Sequence, residues 1–312
     1  ILEGTTLAGL NLGDRRVKRA DILASSIDRY ILSIIAADSE LATGEVKIKN
    51  AFLPDLEVSL SDYLDKLVEL RNKIESNYVK KLKSMLGLLE RDLREQGLSE
   101  EELVRLEYHF LYGFLEPIWI QGGLPLGPAD TRIPTHSVFD HVYSTATMIN
   151  WVYSSVDRVK GLLVGIDVAG TQDFINSSRK LRDSWVSSYL VSALTWYVVL
   201  ELVENIGPDI IILPTLRFNP FYLHWVKHNV LSRIAIPGID EILRDYVYIS
   251  QRIWQLYRVL GIPPYAIVPE KATIVLPPVD VTRSLVPNFP KDTSRIPEYF
   301  KNRLREAWKL LW

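Results

Sequence analysis

Apolar positions first recur at helical spacing over residues 17–37: Val17, Ile22, Leu23, Ile27, Tyr30, Ile31 and Ile34. Asp21, Asp28 and Arg29 interrupt that stripe, which predicts an amphipathic helix. Residues 43–60 read as irregular, with a short alternation at Val46 and Ile48. A longer stripe of Leu64, Leu67, Ile74, Tyr78, Leu82, Met85, Leu89 and Leu93 predicts a helix over 62–96, stopped by Gly97. Ser99 with Glu102 has the capping-box spacing for the next helix, whose pattern runs out near Gly113. Turn formers then crowd residues 117–135, and Thr135 is placed to cap a helix over 136–156.

The texture changes at Gly161. An apolar run over 162–168 predicts a strand, 184–205 a helix, 209–213 a second strand and 219–231 another helix. Helical patterns follow over 239–260 and 296–312, separated by a Pro-rich stretch at 263–290 with a candidate strand at 272–276. The pattern predicts an all-helical N-terminal half and an α/β C-terminal half, meeting near Arg158. A length of 312 residues fits two such units.

Composition narrows the chemistry. The chain has no cysteine, which excludes disulfides, zinc ribbons, iron–sulfur sites and thiol nucleophiles. A formal net charge of -2 gives no global basic field, so any nucleic acid must be met by local patches. The apolar run Ser187–Val203 is short of the roughly 20 residues a membrane span needs, and it carries Glu201. It predicts a buried core helix and no membrane. No secretory leader pattern opens the chain at Ile1, so a cytoplasmic setting is expected.

Three groups of residues could carry chemistry. His136, Asp140 and His141 lie at i, i+4 and i+5 on a predicted helix, where imidazole and carboxylate together suit a divalent transition metal. The same spacing suits a His–Asp pair that orders a helix N-terminus. The second group is GLLVGIDVAGTQ, 161–172, which ends an apolar strand in Asp167 and a glycine turn. Palm domains of polymerases and cyclases place such an acid for two-metal phosphoryl transfer. No Asp-Asp dipeptide supplies the second acid pair, and Thr171-Gln172 stands where a phosphate loop requires Lys-Ser/Thr. Ser177, Ser178, Arg179, Lys180 and Arg182 follow, with hydroxyls and cations that suit phosphates or a solvated helix face. The third group is the last helix, where Lys301, Arg303, Arg305 and Lys309 stand beside Phe300 and Trp308, a mixture that also binds single-stranded RNA. His224 and His228, also i and i+4, read as packing residues.

The stretches ADTRIPTHSVFDHVYSTATMINW (129–151) and GIDVAGTQDFINSSRKLRDSWVSSYLVSAL (165–194) resemble the large subunit of type III-B (Cmr branch) CRISPR–Cas RNA-guided effector complexes. RADILASSIDRY (19–30), PDIIILPTLRFNPFYLHW (208–225), VPNF and the terminal EAWKLLW match the same family in the same order.

The resemblance implies an α+β chain: a helical HD-like domain at 1–157, incomplete or degenerate, then a ferredoxin-like palm at 158–312. It implies one half of a cyclic-oligoadenylate synthase that is inactive without a second palm carrying Gly-Gly-Asp-Asp. The implied nucleotide contacts for ATP are Asp167, Gly170, Thr171, Gln172, Ser177, Ser178, Arg182 and Asp183. Mg or Mn would be held mostly by the second palm. His136, Asp140, His141 and Asp21 would be the remnant of an HD site for a transition metal. The implied partners are the other Cmr subunits, the guide RNA and the target RNA. A non-catalytic scaffold on the guide RNA and a metal-dependent HD phosphohydrolase are the alternatives.

Overall fold

The computed structural model describes residues 15–26, 47–49, 55, 57–59, 62, 65, 71, 74–127, 129, 136–152, 157–231, 234 and 236–310. Expectations for 27–46, Leu64, Leu67, Asp130 to Thr135 and the last two residues lie outside this set. Helix α1 spans Arg15–Ala24 and packs along α4, Val138–Val152. Between them come a short antiparallel pair, β1 (Lys47–Lys49) and β2 (Glu57–Ser59), and two long helices, α2 (Lys80–Glu95) and α3 (Glu100–Gln121). The pair corrects the all-helical expectation for this half. Val58 between Glu57 and Ser59 repeats the period-two alternation seen at Ile48.

A π-helical turn, Ile74–Val79, leads into α2, whose buried face is Leu82, Met85, Leu89 and Leu93, as the stripe predicts. The Ser99–Glu102 capping box forms. Ser99 Oγ accepts from the Glu102 amide at 3.3 Å, and the Glu102 carboxylate accepts from the Ser99 amide at 3.0 Å. Helix α3 does not end near Gly113. It runs through Pro117 to Gln121. Gly113 serves packing instead, because a Cβ there would sit 2.8 Å from Leu223 Cδ2, so α3 and the Leu223 helix approach closely.

The C-terminal half opens with β3, Leu162–Asp167. Short helix α5 (Thr171–Asn176) and 25-residue α6 (Leu181–Asn205) lead through a 3-10 turn at Pro208–Ile210 to β4, Ile211–Leu213. Helix α7 (Pro220–Trp225) extends into a π-helical turn, Val226–Val230, and α8 (Ile239–Ile242) into another, Leu243–Val247. Helix α9 is Gln251–Leu260. The helical pattern over 239–260 is therefore broken. Ile249 takes φ +56°, and Ser250 caps a new helix by accepting from the Ile253 amide at 3.2 Å. Strand β5 (Lys271–Leu276), α10 (Val279–Leu285) and α11 (Ile296–Leu310) complete the chain.

The sheet order is β3-β5-β4, with β5 antiparallel to both neighbours. The outer strands thus run parallel, and the last strand is inserted between them, a split βαβ arrangement. Leu162, Val164 and Ile166 pack on the main core, whereas Leu163, Gly165 and Asp167 face outward. Helix α6 is long and apolar enough to cross a membrane by length and composition alone. In the fold its residues Val198, Val199, Leu202 and Val203 are buried, and α11 packs along it.

One hydrophobic cluster runs from Tyr78 on the turn before α2 to Phe300 on α11. A buried polar knot joins the two halves. The Asp209 carboxylate accepts from the Tyr108 hydroxyl at 2.7 Å and from Asn150 Nδ2 at 2.7 Å, while Thr147 Oγ1 donates to the Asp209 carbonyl at 2.7 Å. Burial pushes the Asp209 carboxyl up from its ordinary value, partly offset by those hydrogen bonds. Gly207 precedes the knot at φ +143°, where a Cβ would stand 2.6 Å from Asp209 Oδ1 and 3.0 Å from the Tyr108 ring. Gly207→Ala is expected to destabilise the fold by roughly 1–3 kcal/mol, read as a lowered thermal midpoint. Gly165→Ala, with open space at its Cβ, is the control that should leave the midpoint nearly unchanged.

Candidate functional site

Strand β3 ends in Asp167, beside Lys271 of β5, with Oδ2 and Nζ 3.5 Å apart. Both side chains are largely exposed, so this pair contributes little to stability. The Val168 amide still donates to the Glu270 carbonyl at 3.0 Å, and the strand then turns through Ala169 and Gly170. Gly170 takes φ +81°, the left-handed region that glycine enters without penalty, and α5 starts at Thr171. The Phe174 amide donates back to the Gly170 carbonyl at 3.1 Å, closing the first turn.

A cavity of about 430 Å³ lies beneath this turn. Val168, Gly170, Thr171 and Phe174 form one side, Val191 and Leu194 of α6 the floor, and Leu304, Arg305, Trp308 and Lys309 of α11 the other side. Phe174 and Trp308 meet edge to face, with ring centroids 6.4 Å apart. Arg305 is held at the rim by Glu298 at 2.8 Å and Asn302 at 2.7 Å. The cavity is apolar inside and cationic at one edge.

Two of the sequence candidates meet here. The strand–turn motif and the basic, aromatic last helix lie more than 130 residues apart, and the fold makes them walls of one cavity. Gly170 and Thr171 line it directly. Asp167 and Gln172 flank the turn. Ser177, Ser178, Arg182 and Asp183 are not among its lining residues. Ser177 Oγ donates to the Phe174 carbonyl at 2.7 Å, and Ser178 Oγ lies 3.1 Å from Ser187 Oγ. Arg182 and Asp183 lie next to each other at 3.8 Å on the exposed start of α6. Sequence reasoning did not connect Phe174, Val191, Leu194, Leu304 and Trp308 to the turn. The available signal was the i, i+4 pairing of Leu304 with Trp308 and of Arg305 with Lys309 on α11.

The His136, Asp140 and His141 group takes a different form from a metal centre. Asp140 Oδ2 accepts from the Ser137 amide at 2.8 Å and from Ser137 Oγ at 2.7 Å, which caps α4. Its Oδ1 accepts from Arg217 Nη1. Burial pushes the Asp140 carboxyl up, but the hydrogen bonds from Arg217 and Ser137 outweigh that and hold it below its ordinary value. Arg217 also clasps Glu116 at 2.7 and 3.0 Å and lies over the Tyr143 ring at 4.7 Å. His141 Nε2 pairs with Asp21 Oδ1 at 2.7 Å, tying α4 to α1, and the His136 ring lies 6.2 Å from that of His141. With a guanidinium on one Asp140 oxygen, a helix cap on the other and His141 paired to Asp21, these side chains are held in hydrogen bonds and ion pairs rather than gathered around one cation. Among the described residues no three His, Asp or Glu side chains form a group that would hold one.

The His224 and His228 rings pack against each other, tilted by 50°, with centroids 4.2 Å apart. Burial, with neighbouring His228 and Lys227, pushes the His224 imidazole down to about 4. Its Nδ1 lies 3.1 Å from the Tyr257 hydroxyl, in keeping with a packing role.

Residues 163–312 match the family of the CRISPR-associated protein Cmr2, N-terminal. The chain belongs to the Cmr2 family. It is 36% identical over 306 residues to the CRISPR system CMR subunit Cmr2 of Saccharolobus solfataricus, covering 96% of this chain and 28% of that protein. It is 36% identical over 115 residues to the Cmr subunit Cmr2 of Pyrococcus furiosus, covering 36% of this chain and 12% of that one. Two cryo-EM structures of the type III-B Cmr-beta complex, one in the apo state and one bound to cognate target RNA, each contain a similar chain. Both match at TM-score 0.70 and 33% identity over 99% of the present sequence. The chain spans 28–29% of the length of those matched chains. Cmr2 relatives are thus subunits of a Cmr effector, and the fold is α+β as the sequence predicts.

Proposed function

We propose that this chain is the HD-like and first-palm region of the large subunit of a type III-B Cmr effector, and that it supplies half of the ATP pocket of a cyclic-oligoadenylate synthase. The cavity under the β3 turn carries this reading. About 430 Å³ of apolar space edged by Phe174 and Trp308 suits a nucleobase, which gains from aromatic stacking whatever its sequence context. Arg305 and Lys309 at its rim suit phosphate oxygens, and Asp167 stands at the turn that faces outward. The split βαβ sheet is the arrangement of strands that a ferredoxin-like palm uses. In this reading the boundary between the HD-like region and the palm lies near Arg158.

The acids that hold Mg or Mn come from a second palm outside this chain. Those ions would clamp attacking and leaving oxygens in phosphoryl transfer. The residues of this chain bind and orient: Phe174 and Trp308 hold the base, Thr171 and Gly170 shape the turn, and the cations of α11 neutralise phosphate. The HD-like site has no part in the reaction, because Arg217 occupies Asp140. Guide and target RNA and the other Cmr subunits are partners through the complex.

The test is a complex reconstituted with guide RNA, target RNA, ATP and Mg²⁺. Oligoadenylate is the expected product, and Trp308→Ala is expected to raise the KM for ATP roughly tenfold, the scale of one lost stacking contact. Absence of product with cognate target would sink the synthase reading. Unchanged kinetics in Trp308→Ala, Asp167→Ala and Gln172→Ala would remove this cavity and turn from it.

A further inference from the structure

Strand β3 has one edge that no strand pairs among the described residues. The Val168 amide donates to the Glu270 carbonyl, and the register continues from there without a shift to Leu162 opposite Leu276. Antiparallel pairs alternate. Ile166, Val164 and Leu162 therefore turn their amides and carbonyls to β5, while Leu163, Gly165 and Asp167 turn theirs to the open side. Such a row of donors and acceptors is a template for another strand. The opposite edge of the sheet is handled differently. Strand β4 has only three residues, its register shifts between Ile211 and Leu213, and Pro214 follows it. Shortness, irregular register and proline all blunt an edge. Strand β3 has six residues in continuous register, with neither a bulge nor a proline. Its open edge is built to be paired.

We infer that the open edge of β3 is filled by the segment of the same protein that follows Trp312, added as an antiparallel strand. Chain topology selects both the edge and the direction. Strand β3 reaches the parallel strand β4 by way of α6, crossing over β5. Crossovers of this kind are right-handed almost without exception. Helix α11 follows β5 and packs along α6, with Phe300 and Leu304 in the same core as Leu162, Val164 and Ile166, so it lies on the same face of the sheet. Strand β5 runs opposite to β3. A right-handed crossover from β5 over that face therefore steps the other way, past β3 and onto its open edge. The end of α11 stands where this strand must begin. Trp308 meets the Phe174 ring and shares the cavity wall with Val168 and Ala169, beside the Asp167 end of β3. A connection of about 2–6 residues would then suffice. The family matched is an N-terminal one, and the chain spans 28–29% of the matched chains, which leaves the greater part of such proteins to follow. The added strand rests on the palm reading for its topology but not on what the cavity binds, and it would enter beside Asp167, at the turn proposed for the nucleotide.

The experiment uses the full-length subunit in its complex. Hydrogen exchange over 162–167 is read by mass spectrometry with fragmentation to single amides. The amides of Leu163, Gly165 and Asp167 are expected to exchange as slowly as those of Val164 and Ile166. Fast exchange of the first three with the other two protected shows an open edge and overturns the inference. A photo-crosslinking benzoylphenylalanine at position 163, where the native leucine is exposed, then identifies the occupant. A crosslink within the same chain, to the residues that directly follow Trp312, is the expected result. A crosslink to a second copy of 162–167, to another subunit or to a distant part of the chain overturns the inference, and so does none. Oligoadenylate made by a complex whose β3 edge is open leaves the synthase reading standing. A paired edge without product on cognate target overturns the synthase reading alone.

Discussion

Arg217→Ala is expected to cost about 3–5 kcal/mol of stability, the range for breaking one side of a buried ion pair. Among the described residues, Arg217 is the cation that pairs with Glu116, whose side chain is just 3% exposed. Three hydrogen bonds between them measure 2.7–3.0 Å. The guanidinium reaches Asp140 on α4 as well, and lies on the Tyr143 ring. Burial alone would lower its pKa; the carboxylates of Glu116 and Asp140 outweigh that and raise it. Removing the guanidinium strands a carboxylate in the core, and the penalty is chiefly that of the orphaned charge. The diagnosis is therefore a rescue. Glu116→Gln in the Arg217→Ala background should recover part of the loss in urea unfolding, and Arg217→Lys should recover little, lacking the two-pronged geometry. A midpoint for Arg217→Ala within 0.5 kcal/mol of the parent would show that the clasp is not a structural tie.

That clasp marks what the sequence could and could not reveal. Asp140 was visible as a polar residue on a predicted helix one turn from His136, and its ambiguity was real: a ligand and a cap look alike along the chain. The partner that decides between them, Arg217, is 77 residues away in a loop without periodicity. The helices α2, α6 and α11 and the strands β3 and β5 were legible because each buries a continuous stripe or an alternating row. Gly113 was misread as a stop, since close packing and chain termination both call for glycine. The break at Ile249 was hidden because both sides of it keep helical spacing. The motif at 161–172 was legible as a strand, an acid and a glycine turn. Its cavity was not, because four of its lining residues sit on α11, joined to the turn only through the packing of α11 on α6.

Stability should fall as the pH drops from about 6.5 to about 4, before most carboxylates titrate. The cause is His109. Its ring is completely buried on α3, with Nε2 3.2 Å from the Glu204 carbonyl and Nδ1 3.2 Å from the Tyr222 hydroxyl. A carbonyl only accepts, so Nε2 carries the proton of a neutral ring. Burial pushes this imidazole down to about 4, opposed by the hydrogen bond to the Glu204 carbonyl and aided by the nearby charge of Arg105. A folded-state pKa below the unfolded value of about 6.5 means the unfolded chain binds the extra proton first. The contribution is complete above pH 6.5 and is lost as the pH falls through the interval to 4. A gap of about 2.5 units corresponds to roughly 3 kcal/mol, and His224, also pushed to about 4, adds a smaller, partly screened share. Chemical denaturation at pH 7, 5.5 and 4.5 reads this out. His109→Gln keeps a donor for the Glu204 carbonyl and cannot titrate, so its curve should be flatter over the same interval even if its stability at pH 7 is lower. Equal slopes for parent and variant would mean that His109 is not the group that titrates.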